Sequence, residues 1–250
     1  MSTTAAINSD KTAIVSGAGR GFGRAITVAL VSAGWHVVGV ARTASDLESL
    51  RAEVGDRFTP VPGDATDEEL GARLIADHRP QLLVLNAGAT PPTAPLSRQT
   101  WDTFSENWHT DTRHVFGWTK AALNAPLPSG STVIAMSSGA ALRGSPLSGG
   151  FAGANATVRF ISDYATEEAG QANLGIRFVT LYPMLSPTGV GAVGVTAYAA
   201  QQGIDPETFI ARLQPVLTAD IVAKTVVELA ADPSPAAGYV LTGTGASPLS

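Results

Sequence analysis

Short apolar segments alternate with longer amphipathic segments along most of the chain. The apolar segments are rich in Val, Ile and Leu and lack strict alternation of apolar and polar positions, which is typical of strands buried on both faces. Such strands, alternating with helices, predict an α/β fold, a doubly wound parallel sheet of about seven strands, in a single domain over residues 1–250. The predicted strands are 12–15, 36–40, 57–61, 81–85, 131–136, 175–181 and 238–241.

The segments between these strands predict helices, except after the sixth strand. Residues 186–214 form the longest departure from the alternation, and a long insertion at that place is typical of a substrate-side loop or lid. The predicted helices are 22–33, 45–54, 67–77, 108–123, 151–170 and 219–231.

Composition narrows the function mainly by exclusion. The net charge of −5 does not favour a nucleic-acid or anionic-membrane partner. The chain has no Cys, which excludes disulfides and thiolate metal sites, and its 4 His residues form no metal-ligand pattern, so no metal is expected. The first residues lack an apolar signal core, and no apolar segment is long enough to cross a bilayer. We therefore expect a cytoplasmic protein.

A glycine-rich turn follows the first predicted strand directly and leads into a helix. It reads Ser16-Gly17-Ala18-Gly19-Arg20-Gly21-Phe22-Gly23. Glycines at this place allow a tight turn and let backbone N–H groups approach a pyrophosphate at the start of the helix. The strand–turn–helix context therefore predicts a dinucleotide site.

The end of the second predicted strand indicates which dinucleotide binds. An Asp or Glu there usually binds a free ribose 2′-hydroxyl, but here the strand ends in Ala41-Arg42. Arg42 and Arg20 together supply two guanidinium groups, which suit a 2′-phosphate. The sequence thus predicts NADP(H) rather than NAD(H).

Four motifs, in chain order, resemble those of the short-chain dehydrogenase/reductase family. They are the glycine turn, Gly63-Asp64 after the third strand, Asn86-Ala87-Gly88 after the fourth, and the segment from Pro183 to Thr188, where Met184 stands in place of the usual glycine. The resemblance covers essentially the whole chain and implies a Rossmann-type fold. It also implies a nicotinamide cofactor site lined by Gly17, Arg20, Gly21, Gly23, Arg42, Asp64, Asn86, Gly88 and Thr188.

The same resemblance exposes a departure at the proton-transfer residues. The family has a Ser after the fifth strand and then a Tyr and a Lys four residues apart, which places them on one helix face. Ser138 takes the Ser place, but Phe151 stands where Tyr is expected and Asn155 where Lys is expected. None of the four Tyr residues is followed by Lys four positions later. Since a positioned general acid contributes about 10²–10⁴-fold, we expect ordinary carbonyl reduction to be very slow.

A fourth family position is an Asn on the long helix before the fifth strand. If Val115 and Phe116 are the apolar pair of that helix, Asp111 takes the Asn place. A carboxyl group there would lie near the active site, with a pKa that burial would raise. The alternative is an exposed helix Asp.

Three functions stay open at this point. The first is an atypical enzyme that performs cyclisation, elimination, isomerisation or aldol-type chemistry with Ser138, Asn155 and Asp111. The second is an NADPH-dependent ketone or alcohol oxidoreductase, either with a relocated donor such as Tyr182 or Tyr198 or with introduced substitutions at Phe151 and Asn155. The third is a non-catalytic cofactor sensor or partner subunit.

The substrate-side segment is small and apolar, with several Val residues, and Phe151 adds an apolar wall. This favours a small hydrophobic carbonyl or hydroxyl compound as the ligand. The family resemblance further implies a homodimer or homotetramer.

Overall fold

The computed structural model describes residues 11–125 and 127–249. Within them, eight strands form one sheet: β1 (Thr12–Ser16), β2 (His36–Ala41), β3 (Phe58–Pro62), β4 (Leu82–Leu85), β5 (Thr132–Met136), β6 (Arg177–Pro183), β7 (Gly238–Thr242) and β8 (Gly245–Pro248). Their order is β3-β2-β1-β4-β5-β6-β7-β8. All neighbours pair in parallel except β7 and β8, which are antiparallel. The fold is therefore the predicted doubly wound α/β sheet.

Helices cover both faces of this sheet. Their bounds are α1 (Gly21–Ser32), α2 (Ala44–Val54), α3 (Glu68–His78), α4 (Trp101–Asn107), α5 (Arg113–Asn124), α6 (Ala140–Arg143), α7 (Gly149–Gln171), α8 (Val190–Gln201), α9 (Pro206–Arg212) and α10 (Ala219–Ala231). A five-residue π-helical turn, Trp108–Thr112, joins α4 to α5.

The hydrophobic core is divided by the sheet into two layers. One layer packs α1, α2 and α10 against one face, with Ile26, Leu47 and Val222 among its buried residues. The other layer packs α3, α5 and α7 against the opposite face, around the fully buried Trp118. The Trp118 indole N–H donates to the Ala65 carbonyl at 2.8 Å, so this large side chain is buried without an unpaired donor.

The structure adds elements that the hydrophobic pattern did not predict. β8 is an eighth strand, and α6, α8 and α9 are additional helices. The helical stretch predicted at 108–123 begins at Trp101 and is interrupted by the π-helical turn. Residues 186–214, predicted as a loop, instead contain α8 and α9, which share a small apolar cluster of Val195, Ala199 and Phe209.

The topology creates a crevice at the carboxyl ends of the strands. The chain moves outward from β1 to β2 and β3, and then returns to the other side of β1 to form β4. Loops after β1 and β4 therefore leave in opposite directions, and ligands bind at such switch points. Five predicted site residues follow strand ends within two residues: Gly17, Arg42, Asp64, Asn86 and Ser138.

Candidate functional site

A cavity of about 1050 Å³ lies at the carboxyl edge of the sheet. It is bounded by the glycine turn, the ends of the central strands, the start of α7 and the start of α8. The structure brings almost all of the sequence-predicted site residues to this one cavity. Its lining includes Gly17, Arg20, Gly21, Arg42, Asp64, Asn86, Gly88, Asp111, Ser138, Phe151, Asn155 and Thr188.

Gly23 is the one predicted site residue that is not part of the cavity lining. A Cβ added at Gly23 would lie 2.1 Å from the Gly17 carbonyl oxygen. The missing side chain thus lets α1 pack directly beneath the glycine turn. Gly23 therefore shapes the turn, and its contact with the cofactor stays a prediction.

The glycine turn has the conformation that a phosphate cradle requires. Gly17 and Gly21 have φ angles of +68° and +55°, which residues with a Cβ rarely adopt. Asn86 holds the turn, because its Nδ2 donates to the Ser16 carbonyl at 3.1 Å. In the described chain, no side chain caps the start of α1 and no acidic residue lies in its first turn. Its first N–H groups are therefore available to an anion.

The two predicted guanidinium groups lie at one end of the cavity, and both side chains are exposed. Arg20 is the N-cap residue of α1, and Arg42 follows β2. Sequence reasoning missed a carboxylate at the same end: the Cβ of Asp46, on α2, would lie 3.0 Å from a Cβ added at Gly19. Asp46 lies three positions after the N-cap residue of α2, where acidic residues are common, so the sequence gave no signal of this contact. Its carboxylate would oppose an anionic phosphate there.

Asp64 is held in a tight local turn. Its Oδ1 accepts hydrogen bonds from the Thr66 backbone N–H and hydroxyl, each at 2.9 Å. These two bonds keep the pKa of the Asp64 carboxyl below its usual value, with smaller contributions from Arg42 and Arg113. Asp64 therefore presents a charged carboxylate with one oxygen still available.

Asp111 lies on the π-helical turn and is buried, not exposed. Its Oδ1 accepts from the Ala89 N–H at 2.8 Å, and its Oδ2 accepts from Asn107 Nδ2 at 3.1 Å. Burial raises the pKa of Asp111 to about 6, although these hydrogen bonds and the Asn155 amide oppose the rise. A Cβ at Gly88 would lie 3.2 Å from Oδ1, so a glycine leaves room for the carboxylate.

Phe151 and Asn155 lie one turn apart on α7, and both line the cavity. The buried Asn155 donates from Nδ2 to the backbone carbonyl of Phe151 at 3.0 Å. The backbone carbonyl of Asn155 accepts from the Ser137 hydroxyl at 2.9 Å. Ser138 Oγ accepts from the Ala140 N–H at 3.2 Å and keeps its proton for another acceptor. This part of the cavity thus offers a hydroxyl, an amide and an aromatic wall.

Of the two tyrosines considered as a relocated proton donor, Tyr198 lines the cavity and Tyr182 does not. Tyr182 is buried and is not part of the cavity lining, so its position favours an aromatic packing residue over a relocated donor. Tyr198, on α8, does line the cavity. His109 and His114 also line it, but burial lowers the pKa of His114 to about 4 and keeps that ring neutral.

The segment that follows β6 closes the remaining side of the cavity. Thr188 is exposed, and its hydroxyl lies 3.2 Å from the Ser186 hydroxyl. Ser186 is buried and donates to the Leu217 carbonyl at 2.9 Å. This bond joins the two ends of the segment that carries α8 and α9.

Residues 11–125 and 127–249 contain neither a metal-ligand cluster nor a membrane-spanning helix. In that part of the chain, no group of three or more His, Asp or Glu residues could hold a metal ion. No helix formed by those residues combines the length and the apolar character needed to cross a membrane.

Comparisons with known proteins agree with this geometry. The sequence profile of the family described as short chain dehydrogenase matches residues 11–194. A serine 3-dehydrogenase of Rhizobium radiobacter is 40% identical over 89 residues, which is 34% of this chain and 36% of the relative. An L-xylulose reductase of Mesocricetus auratus is 36% identical over 103 residues, 41% of this chain and 42% of the relative. These two alignments span about two fifths of the relatives' length.

A longer alignment is found with a short-chain dehydrogenase/reductase of Hericium erinaceus. The two proteins are 29% identical over 199 residues, which is 73% of this chain and 77% of the relative. The profile match covers the sheet from β1 to β6 and the start of α8, and therefore every residue of the cavity lining except Tyr198.

Proposed function

Because the chain belongs to the short-chain dehydrogenase family, a family of nicotinamide-dependent oxidoreductases, we propose that it binds NADP(H) in the cavity at the carboxyl edge of the sheet. We propose further that it acts there on a small hydrophobic carbonyl or hydroxyl compound, by chemistry that does not use a tyrosine–lysine pair. The observation that carries this proposal is a well-formed phosphate cradle beside Phe151 and Asn155 in the same cavity.

The described residues fit a dinucleotide. The start of α1 would bind the pyrophosphate, because no side chain caps it and nothing lies within 4 Å of a Cβ added at Gly21. Asp64 would bind the adenine, and Arg20 and Arg42 a 2′-phosphate. A bound nicotinamide would supply a hydride donor or acceptor.

The substrate side lacks the groups that usually move the proton. Phe151 has no acidic proton, and Asn155 has no charge to lower the pKa of a neighbouring group or to hold a ribose ionically. Both side chains line the cavity, so the loss lies in the site itself and not at a remote position. The groups that stay available are the Ser138 hydroxyl and the Asn155 amide, with the Asp111 carboxyl close to the amide.

These groups support reactions that need oriented hydrogen bonds more than a strong acid. Ser138 would donate a hydrogen bond to the substrate, and Asp111, with a pKa of about 6, would hold or release a proton near neutral pH. Elimination, isomerisation, cyclisation or aldol-type steps fit this set. A second candidate, a redox enzyme with a relocated donor, is favoured by one observation, the Tyr198 hydroxyl in the cavity.

The apolar wall and the outer surface extend the proposal. Phe151, Leu185 and Val190 line the cavity, which favours an apolar substrate body. On the outside, Trp101, Phe160 and Tyr164 are exposed on α4 and α7, which pack against each other. Such a face supports assembly into a homodimer or homotetramer, which light scattering in solution measures.

The cofactor preference is tested by titrating the full chain with NADPH and NADH, followed by energy transfer from Trp to the reduced nicotinamide. We expect tighter binding of NADPH. Arg42→Ala should weaken NADPH binding about 10- to 100-fold, because it removes a charge-assisted hydrogen bond, and should change NADH binding little. Asp46→Asn is the matched control of opposite sign and should tighten NADPH binding. No binding of either nucleotide would refute the proposal.

A further inference from the structure

Three hydroxyl groups meet at the substrate side of the cavity. Ser145 Oγ lies 2.5 Å from the Tyr198 hydroxyl oxygen and 2.6 Å from Ser148 Oγ. Tyr198 comes from α8, whereas both serines come from the turn between α6 and α7. Ser148 and Tyr198 line the cavity, and Ser145 connects them. We call these three residues the hydroxyl cluster.

The number of protons in the hydroxyl cluster determines what it can bind. Three hydroxyls carry three protons, and the two internal contacts use two of them. The rest of the described chain provides these side chains with no other hydrogen-bond partner. If Ser145 donates one of the two contacts, the remaining proton lies on Ser148 or on Tyr198, and both residues line the cavity. If Ser145 accepts both contacts, the remaining proton lies on Ser145. In the two arrangements with Ser145 as a donor, the cluster can donate one hydrogen bond to a ligand.

The position of the hydroxyl cluster relates it to the altered helix face. Ser148 is the N-cap residue of α7, and Phe151 lies three residues later. Both side chains line the cavity at the start of this helix. A donor on Ser148 therefore lies on the same side of the cavity as the aromatic ring that stands where a hydroxyl is expected. An apolar body against Phe151 would bring an attached oxygen to the cluster.

We propose that Ser148 and Tyr198, coupled through Ser145, bind the oxygen of a neutral carbonyl or hydroxyl group on an apolar substrate. The inference rests on the proposed function, because it places that substrate in the same cavity. The cluster supplies donors without charge, and Ser148 is buried. Arg143 also lines the cavity, but its side chain is exposed, so its guanidinium remains hydrated and attracts a carboxylate less.

Three ligands of one shape test this assignment: tetralin, 1-tetralone and 1,2,3,4-tetrahydro-1-naphthoic acid. Their binding to the full chain is measured by ligand-observed NMR titration. The ketone should bind about 3- to 10-fold more tightly than the hydrocarbon, as expected for one added hydrogen bond. Tyr198→Phe and Ser148→Ala together should remove this preference. Tyr164→Phe, on the exposed face of α7, is the matched control and should retain it.

Several outcomes would overturn the assignment. They are equal binding of ketone and hydrocarbon, tighter binding of the acid, no binding of any of the three ligands, or a ketone preference that persists in the double variant. NADPH titration of the same samples separates the two proposals. Retained NADPH binding without a ketone preference overturns the hydroxyl cluster alone, whereas loss of NADPH binding overturns the proposed function. A thermal melt of each variant shows whether it is folded.

Discussion

Introducing the expected tyrosine and lysine at positions 151 and 155 of α7 should not by itself restore ketone reductase activity. In Phe151→Tyr/Asn155→Lys, the new ammonium group would lie beside the buried Asp111, whose carboxyl already interacts with the Asn155 amide. Burial disfavours an unpaired carboxylate, but a nearby ammonium group stabilises one. Asp111 should therefore ionise and pair with the new lysine. The lysine would then be neutralised where its charge is needed. We therefore predict that the triple variant with Asp111→Asn is the more active one.

The size of this effect follows from the helix geometry. Side chains at i and i+4 are about 5–6 Å apart, and an ammonium at about 6 Å contributes about 3 kcal/mol at an effective dielectric constant near 20. That energy lowers the pKa of the introduced tyrosine by about 2. A paired Asp111 would cancel most of this effect. If about half of the pKa change is expressed in the barrier, the triple variant should be about 10-fold faster than the double variant.

The assay is NADPH oxidation with a simple ketone such as 1-tetralone, followed by the loss of nicotinamide absorbance over a range of pH. The tyrosine must be protonated to act as the general acid in this reduction, so the rate of the double variant should fall only at high pH, because its tyrosine keeps an ordinary pKa. The rate of the triple variant should begin to fall at lower pH. Asp111→Asn in the unchanged background is the control and should gain no activity. Equal rates and equal pH profiles for the double and triple variants would refute the reasoning.

Two further predictions concern stability, and both are measured by chemical denaturation. Gly23→Ala should destabilise the fold by about 1–3 kcal/mol, because its Cβ would lie 2.1 Å from the Gly17 carbonyl oxygen. Gly170→Ala is the control and should be neutral or stabilising, because no atom lies within 4 Å of a Cβ added there. Similar effects of the two substitutions would contradict the packing argument. Folding raises the pKa of Asp111 from 3.8 to about 6, so stability should fall as pH rises from about 4 to 6. Asp111→Asn should therefore be more stable than the wild type at neutral pH, by about 3 kcal/mol at most, and this difference should disappear near pH 4. A stability difference that does not change with pH would show that the titration of Asp111 does not cause it.

The sequence predicts the sheet well where side chains carry the signal. β4 consists of Leu and Val, and β1 has Ala, Ile and Val between a Thr and a Ser. Such short apolar runs between turn signals favour buried strands, and the residues after their ends meet as expected. β8 reads Gly-Ala-Ser-Pro, which carries no strand preference, and its position depends on pairing with β7. α8 has no polar face, so no helical period marks it, and its neighbours are residues of α9.

In the candidate site too, the sequence predicts residues that follow strands but not contacts between distant segments. Gly17, Arg42 and Asn86 follow strands directly, so the topology alone places them together. The hydroxyl cluster joins a turn before α7 to a helix about fifty residues later, and Asp46 reaches Gly19 from a different helix. Such contacts depend on how the layers pack, which no local pattern records. The burial of Asp111 likewise depends on Asn107 and Ala89 being brought to it.

The segment that carries α8 and α9 leaves and rejoins the rest of the protein at almost one point, where Ser186 contacts Leu217. It also has its own apolar cluster, separate from the two layers of the sheet core. Substitutions inside this segment can therefore reshape the substrate wall without disturbing the sheet or the glycine turn. In evolutionary terms, ligand preference and cofactor binding can diverge at different rates in this chain, and a segment exchanged between relatives at these two residues would carry specificity with it.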